Sequence, residues 1–295
     1  MDSNGHPTTG AEAPRAASLI QAISLGLAGY NKAFQRVGTW LVASPEAFIR
    51  EPLQEIARAA GVSEPTVLRF CRQFGFKGLP DFRIALAMSL ARDSGLGTFV
   101  EPGVADKAVV NLGAKRAIAR FALSLVGSDR SIIIDSGSTT QLFAENLRTA
   151  PALVIMTTGL NIAETFRGAS QHTVMLPGGT VRFESNSLSG RLVESTLSGM
   201  RFDAIYLGAD SIDPVLGLST FNEAEAHQNA AMVGVSQRVI VLADSTKFRA
   251  PALHRICEPD RIHAVITDTG LPDDIAETLE RRGVAVHRVE PEGSN

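Results

Sequence analysis

Residues 53–74 read LQEIARAAGVSEPTVLRFCRQF, and this stretch decides the fold of the N-terminal part of the chain. Apolar residues recur at helical spacing on both sides of Gly61, a residue type that ends helices because it adopts the left-handed backbone conformation without strain. After it, Ser63 is a good N-cap, and Pro65 is tolerated in a first helical turn. The stretch is therefore predicted to form two short helices joined by a tight turn, a helix-turn-helix motif.

The second of these helices is predicted to bury Val67, Phe70 and Cys71 and to turn its polar residues to other faces. In DNA-binding motifs of this kind, the second helix enters the major groove, where polar side chains meet base edges or phosphates. The pattern alone leaves open that the two helices only pack together and that the basic residues face solvent. The candidate DNA contacts are Ser63, Thr66 and Arg69, for bases or phosphates, and Arg72, Gln73 and Lys77 beside them.

Helical periodicity extends around this motif from residue 16 to residue 92. The dipeptide Ser44-Pro45 is expected to end an earlier helix, because the residue before a proline disfavours the helical region. Further helices are predicted at 53–60, 65–74 and 81–92. Residues 1–15 lack apolar periodicity and are expected to be a disordered tail, and the Gly- and Pro-rich residues 93–105 are expected to be a linker.

Beyond the linker, short apolar runs alternate with helical stretches, which predicts βαβ units around a mostly parallel sheet. The predicted fold class is therefore an all-helical domain, residues 16–92, followed by an α/β domain, residues 106–290. The strands are predicted at residues 131–134, 153–157, 173–176, 204–207, 239–242, 264–267 and 284–289.

Residues 135–140, DSGSTT, follow the first of these strands and precede a helix predicted at 141–147. A strand, a small polar loop and a helix N-terminus can bind phosphate, because free N–H groups and the positive end of the helix face the anion. A capped helix without a ligand would have the same pattern. The candidate anion contacts are Ser136, Gly137, Ser138, Thr139 and Thr140, and Asp135 is a candidate for accepting hydrogen bonds from sugar hydroxyls.

Three more loops follow predicted strands, and in a parallel sheet such loops meet at one edge, where ligands bind. They offer Gly178 and Gly179, Asp210, and Lys247. The segment FNEAEAHQ adds Glu223 and Glu225 as candidates for binding hydroxyl groups. A metal site is not expected there, because His227 has no second histidine at ligand spacing. Each loop taken alone could be an ordinary turn.

Composition excludes fibrous, collagen-like and wholly disordered proteins. The chain has 295 residues, of which 44% are hydrophobic and 20% charged, as in a globular protein with a core. Two cysteines are too few for a disulfide framework, which favours a reducing cytoplasm. The longest uncharged stretch, residues 16–31, is short and polar for a membrane span. No cofactor and no membrane partner are expected.

The segment EIARAAGVSEPTVLRFCRQFGFKGLPDFRIALA resembles the N-terminal domain of RpiR-type transcriptional regulators. This resemblance covers residues 18–91 and rests mainly on GVSEPTVLRFCRQFGFKG. It implies DNA binding by a dimer on a palindromic site.

A second resemblance covers residues 117–278. The segments IIIDSGSTTQLFAENL, LPGGTVRFESNSLSG, FDAIYLGADSIDPVLGLSTFNEAEAHQNAAM and VIVLADSTKF are similar, in order, to the sensor domain of DeoR-type regulators of sugar metabolism. That domain is related to the ribose-5-phosphate isomerase and glucosamine-6-phosphate deaminase folds and binds phosphorylated sugars. The likeness implies that the DSGSTT loop and Lys247 hold a phosphate and that Asp210, Glu223 and Glu225 contact the sugar.

The combined expectation is a DNA-binding transcriptional regulator, a repressor of carbohydrate genes, that binds a double-stranded operator as a homo-oligomer (dimer or tetramer). A phosphorylated sugar is its expected effector, and no catalytic residues are expected. The alternative is a sugar-phosphate isomerase or deaminase with a helical appendage, in which Asp210 with Glu223 or Glu225 would supply acid–base chemistry. A protein-interaction adaptor is a third possibility.

Overall fold

The computed structural model describes residues 18–93 and 100–293, without the side chains of Arg92 and Asp93. The chain forms two compact units, Met1–Gly95 and Leu96–Asn295. The predicted disordered tail, residues 1–15, lies outside the described residues, as do residues 94–99 of the predicted linker 93–105. At the end of that linker, Val100 and Glu101 are buried.

Residues 18–93 form helices and contain no strand, as predicted. The helix before Ser44-Pro45 ends at Ala43, which confirms the predicted break. A short helix from Pro45 to Arg50 was not predicted; proline at its first position needs no N–H partner and therefore starts it well. The helices are α1 Leu19–Gly26, α2 Lys32–Ala43, α3 Pro45–Arg50, α4 Leu53–Ala59, α5 Glu64–Gln73 and α6 Leu79–Asp93.

The turn between α4 and α5 has the predicted geometry. Gly61 has a φ of +64°, the left-handed conformation that ends a helix, and the amide of Val62 donates a 2.9 Å hydrogen bond to the carbonyl of Ala57. The prediction that Val67, Phe70 and Cys71 are buried is confirmed, since all three are fully buried. The helix-turn-helix motif is therefore anchored in the core of the first unit.

The second unit is built on a seven-stranded sheet in which every neighbouring pair of strands is parallel. Its strand order is β12-β11-β9-β6-β1-β2-β3. All the strands predicted from apolar runs belong to this sheet, which confirms the predicted α/β class. They are β1 Ser131–Ile134, β2 Val154–Thr157, β3 Thr173–Met175, β6 Phe202–Leu207, β9 Ser236–Leu242, β11 Ala264–Asp268 and β12 Ala285–Val289.

Helices cover both faces of this sheet. In β1, Ile132 packs on one side with Phe143 of α9, whereas Ile133 packs on the other side with Leu197 of α11. Strands buried on both faces need not alternate apolar with polar residues, which explains the continuous apolar runs. The helices are α7 Val104–Val109, α8 Leu112–Ala122, α9 Ser138–Leu147, α10 Leu160–Thr165, α11 Arg191–Leu197, α12 Glu223–Gly234 and α13 Asp273–Glu280.

Two small antiparallel sheets, in strand order β4-β5 and β10-β8-β7, were not predicted. Their strands have three or four residues each, too few to show a period in the sequence. One of them buries Cys257. These strands are β4 Thr180–Arg182, β5 Ser187–Ser189, β7 Ser211–Asp213, β8 Gly217–Thr220 and β10 His254–Cys257.

The strand order brings two loops together. From β1 the chain continues to β2 on one side, while β6 lies on the other side of β1. The loops that follow β1 and β6 therefore lie next to each other at the carboxyl edge of the sheet, the position where open parallel sheets bind ligands. Among the described residues, no helix is both long and apolar enough to span a membrane.

Candidate functional sites

A cavity of about 60 Å³ lies where the loops after β1 and β6 meet. It brings together most of the predicted site residues of the second unit, although they come from four separate segments. The predicted residues that line it are Asp135, Ser136, Gly137, Ser138, Thr139, Asp210, Glu225 and Lys247.

One end of this cavity suits an anion. Helix α9 begins at Ser138, earlier than predicted, so Ser138 and Thr139 lie in its first turn. The N–H groups of a first turn have no partner inside the helix, and the helix dipole adds positive charge there. The ammonium group of Lys247 faces the same cavity and forms no hydrogen bond or ion pair with any residue that the structure describes.

Lys247 is held by a small turn after β9. The side chain of Asp244 caps this turn by accepting a 3.1 Å hydrogen bond from the amide of Thr246, and it accepts another of 3.1 Å from Asn111. Burial lowers the pKa of Lys247, and the nearby carboxylates of Asp210 and Asp244 only partly oppose this. A bound anion would therefore stabilise the charged form of this lysine.

The loops after β1 and β6 approach each other at Gly137 and Gly208. A β-carbon added at Gly137 would lie 3.7 Å from the α-carbon of Gly208. Between them, the carboxylate of Asp135 accepts a 3.1 Å hydrogen bond from the amide of Gly208. Burial raises the pKa of Asp135 to about 6, because the backbone hydrogen bonds to its carboxylate offset the lost hydration only in part.

Acidic side chains line the same cavity. Asp210 accepts a 2.9 Å hydrogen bond from the hydroxyl of Thr220 and lies 3.6 Å from the ammonium of Lys107. Burial alone would raise the pKa of Asp210, but the ammonium groups of Lys107 and Lys247 outweigh it and lower that pKa. The pKa of Glu225 is raised by burial and by the charge of Asp210.

Glu225 reaches the cavity because of the cap of α12. The side chain of Asn222 accepts a 3.0 Å hydrogen bond from the amide of Glu225 and so fixes the first turn of that helix. Glu223, the first residue of α12, is exposed and does not line the cavity, so its predicted placement is wrong. Residues at the first and third positions of a helix point in different directions.

Three further predicted residues do not line the cavity. The buried hydroxyl of Thr140 donates to the carbonyls of Asp135, at 2.6 Å, and Gly137, at 2.8 Å, and so shapes the loop instead. Gly178 and Gly179 form the turn from β3 into β4, with φ values of +79° and +126°. None of these three residues is therefore placed to contact a ligand in the cavity.

Sequence reasoning missed four charged residues around the cavity. Glu101 and Lys107 lie in and just after the predicted linker, Lys115 lies on α8, and Arg182 lies on β4. Burial lowers the pKa of Lys115 to about 8, and the charge of Lys247 contributes. Arg182 lies in the segment 176–190 that carries the resemblance to the sensor domain, but none of the four was singled out, because only the folded chain brings them beside Asp210 and Glu225.

The predicted DNA contacts lie on or next to α5. Five of them are exposed, but Thr66 is only 6% exposed, so its placement on the outer face is wrong. Its hydroxyl lies 3.0 Å from that of Ser63 and accepts a 3.3 Å hydrogen bond from Arg69. The exposed residues are Ser63, Arg69, Arg72, Gln73 and Lys77.

Metal binding finds no support at Glu223 and His227, which are both exposed. In the part of the chain that the structure describes, no three or more His, Cys, Asp or Glu side chains are grouped so that they could hold a metal ion.

Comparison with known families matches both units. The model of the rpiR-family helix-turn-helix domain matches residues 18–93, and the model of the DeoR C-terminal sensor domain matches residues 110–269. These two assignments confirm the combination predicted from the sequence.

Curated relatives are similar over most of their length. A protein of Escherichia coli O157:H7 named "Putative aga operon transcriptional repressor" is 39% identical over 63% of this chain and 70% of its own length. The HTH-type transcriptional regulator GlpR of Haloferax volcanii is 28% identical over 79% of this chain and 89% of its own length.

Among solved structures, ribose 5-phosphate isomerase A from Neisseria gonorrhoeae is 18% identical with a TM-score of 0.35, over 46% of this chain and 53% of that one. The family assignment rests on the family models and the curated relatives. The chain belongs to the DeoR C-terminal sensor domain family, and it is a transcriptional regulator in which that sensor follows a helix-turn-helix domain of the rpiR family.

Proposed function

We propose that a phosphorylated sugar binds in the cavity of the second unit and controls the affinity of the helix-turn-helix domain for operator DNA. The observation that carries this proposal is one cavity lined by two chemically different groups of residues. The first turn of α9 and the ammonium group of Lys247 are called its cationic end here, and the carboxyl groups of Asp210 and Glu225 its acidic end.

The cationic end fits a phosphate. Amides of a first helical turn, hydroxyls of Ser138 and Thr139 and a lysine ammonium are the donors that proteins use for this group. The glycine at position 137 leaves the backbone open to the anion. Charge-assisted hydrogen bonds of this kind are roughly twice as strong as neutral ones, so the phosphate would supply much of the affinity.

The acidic end fits the hydroxyl groups of a sugar. The Asp210 carboxylate is ionised and accepts hydrogen bonds, whereas Glu225, with its raised pKa, can donate one while it is protonated. Such a pair can discriminate between sugars, because a hydroxyl that is absent leaves a buried polar group without a partner.

In the helix-turn-helix domain, the proposal assigns Arg69 to a base edge and Arg72 and Lys77 to phosphates, and the exposure of all three supports it. A homodimer on two half-sites would explain how a small rearrangement controls binding, since both recognition helices must fit the duplex at once. A repressor that the sugar phosphate releases from its operator is the form of regulation we propose, in line with the repressor named among its relatives.

The proposal is tested by thermal denaturation of the full chain with a panel of phosphorylated and unphosphorylated sugars and inorganic phosphate. A ligand that binds only the folded state must raise the melting temperature. At least one phosphorylated sugar should stabilise the protein more than its unphosphorylated form does, and it should change the affinity for a duplex selected from random sequence. If no phosphorylated sugar in the panel stabilises the protein, the proposal is contradicted.

The buried carboxyl groups of Asp135 and Glu225, both with raised pKa values, also favour a second candidate function, sugar-phosphate isomerisation or deamination. Ribose 5-phosphate and glucosamine 6-phosphate discriminate between the two. Turnover of either compound would favour the enzyme, and binding without turnover would favour the sensor.

A further inference from the structure

Five charged side chains around the cavity form one continuous network of alternating sign. The carboxylate of Asp210 lies 3.6 Å from Lys107, which lies 3.3 Å from Glu101. Glu101 also pairs with Arg182, and Arg182 lies 3.6 Å from Glu225. The two carboxylates assigned to the sugar, Asp210 and Glu225, are thus the two ends of the network.

The middle of this network lies in the segment that follows the connection between the two units. Glu101 and Lys107 belong to residues 100–109, and residues 94–99 join this segment to α6 in the sequence. A ligand that competes for Asp210 and Glu225 therefore acts, through Lys107 and Arg182, on the segment connected to the DNA-binding domain.

Helix α7, which carries Lys107, is held mainly by polar contacts. It has six residues, and none of them is buried. The amide of Val104 donates a 2.8 Å hydrogen bond to the carbonyl of Glu184, and the carbonyl of Lys107 accepts one of 3.5 Å from the hydroxyl of Ser138. Lys115 donates to the same carbonyl. Elements with few buried apolar contacts open at low free-energy cost.

One wall of the cavity comes from the segment that follows the connection between the two units, since Glu101, Val104 and Lys107 line it. The walls from α9 and from the loop after β6 are tied to the central sheet, and α9 buries Phe143 and Leu147. Val100 is buried ahead of helix α7, but α7 itself buries none of its residues, so α7 is the wall that yields most easily.

We propose that the effector displaces residues 100–109 by taking Asp210 and Glu225 from Lys107 and Arg182, and that this displacement transmits effector binding to the DNA-binding domain. The inference rests on the proposed function. Glu101 acts as the latch: its side chain is 8% exposed, and without its cationic partners it would be a buried unpaired charge. The segment therefore leaves as a unit rather than losing one pair.

The test uses the full chain without any effector, so that its failure is separate from a failure to find the sugar. Glu101→Gln and Lys107→Met each break the network, and Lys107→Arg keeps the charge. Arg167→Met is the matched control, because it removes a cation from the exposed pair with Glu164. Each variant's folding is checked by circular dichroism. Affinity is measured for a duplex that wild-type protein selects from random sequence.

Both network variants should shift the affinity in the same direction, toward weaker binding, by about fivefold or more, which is the lower range of allosteric coupling. Lys107→Arg and Arg167→Met should remain near wild type. A long-range charge effect would instead move Glu101→Gln and Lys107→Met in opposite directions, since one loses a negative and the other a positive charge. Opposite shifts, or smaller ones, overturn the proposal.

Hydrogen exchange gives a second measurement on the same variants. The amides of α7 should exchange faster in Glu101→Gln and Lys107→Met than in wild type, whereas those of β1 should not change. Unchanged exchange in α7 would show that the network does not hold this segment and would also overturn the proposal. If wild type binds no phosphorylated sugar while both variants loosen α7 and weaken DNA binding, the proposed function fails. The control of DNA affinity by residues 100–109 is then still supported.

Discussion

The amide of Gly208 donates a 3.1 Å hydrogen bond to the carboxylate of Asp135, and this contact joins the loops after β1 and β6 at the edge of the sheet. Burial holds the pKa of Asp135 at about 6, compared with about 4 in an unfolded chain. The folded state therefore binds a proton more tightly at this carboxyl group than the unfolded state does.

The stability of the second unit should depend on pH through Asp135. The contribution of a raised pKa is fully present below the unfolded value and is lost as pH rises through the folded value. Two pKa units correspond to about 3 kcal/mol between pH 4 and pH 6. The free energy of unfolding of Asp135→Asn, relative to wild type, should rise by about this amount over the same range.

Urea denaturation at several pH values measures this difference. Trp40 is the single tryptophan and lies in the first unit, so its fluorescence reports that unit, while circular dichroism reports both. A difference between Asp135→Asn and wild type that does not change with pH would show that the carboxyl group is not held as described.

Lys247→Met should weaken binding of the phosphorylated sugar. A hydrogen bond to a charged group contributes about 1.5–3 kcal/mol, which corresponds to a loss of roughly 10- to 100-fold in affinity. Isothermal titration calorimetry with the sugar found by thermal denaturation measures it. Lys32→Met removes an exposed lysine of the first unit and should leave the affinity unchanged. Equal affinities of the two variants would remove Lys247 from the site.

Gly179→Ala should destabilise the turn that leads into β4. Gly179 has a φ of +126°, and an added β-carbon would lie 2.5 Å from the carbonyl oxygen of Ser189. Strain of this kind costs about 1–3 kcal/mol. Gly199→Ala is the control, because nothing lies within 4 Å of an added β-carbon there. The free energies of unfolding of the two variants test this prediction. Similar values would show that alanine at position 179 is not strained.

Arg69→Ala and Arg72→Ala should weaken DNA binding in different ways. Loss of a base contact by Arg69 costs about 1–3 kcal/mol and relaxes sequence preference, whereas loss of a phosphate contact by Arg72 lowers the salt dependence by about one unit of slope. Binding to the selected duplex and to a scrambled duplex, over a range of salt concentrations, separates the two effects. Arg167→Ala is a control in the second unit. If Arg69→Ala and Arg72→Ala both have the DNA affinity and salt dependence of this control, α5 is not the recognition helix.

Much of this fold could be predicted, because it depends on local patterns in the sequence. The buried run Ser131–Ile134 and the glycine turn at Gly61 are local features, and each is sufficient to define an element. The short strand Thr180–Arg182 shows no period of its own. It forms because Gly178 and Gly179 turn the chain back and because β5 supplies backbone hydrogen-bond partners.

The candidate site could be predicted where its chemistry lies in a motif. The loop from Asp135 to Thr139 and Lys247 follow strands directly, so the parallel sheet brings them together. Glu101 is far from any motif, and Arg182 lies in the segment 176–190 without being singled out there, because the role of both depends on a tertiary contact between them. Thr66 and Thr140 were misplaced because a hydroxyl can bond either to a ligand or within the protein, to side chains as at Thr66 or to the backbone as at Thr140, and the sequence does not show which.

Both cysteines of the chain are buried, and burial raises the pKa of the Cys71 thiol to about 12 and that of Cys257 to about 11. Thiolates, which are the reactive form, are therefore scarce at neutral pH. A cysteine introduced on the surface of each unit would react with a maleimide dye long before the native thiols do. Single-molecule fluorescence energy transfer could then follow the distance between the sensor domain and the helix-turn-helix domain without replacing the native cysteines.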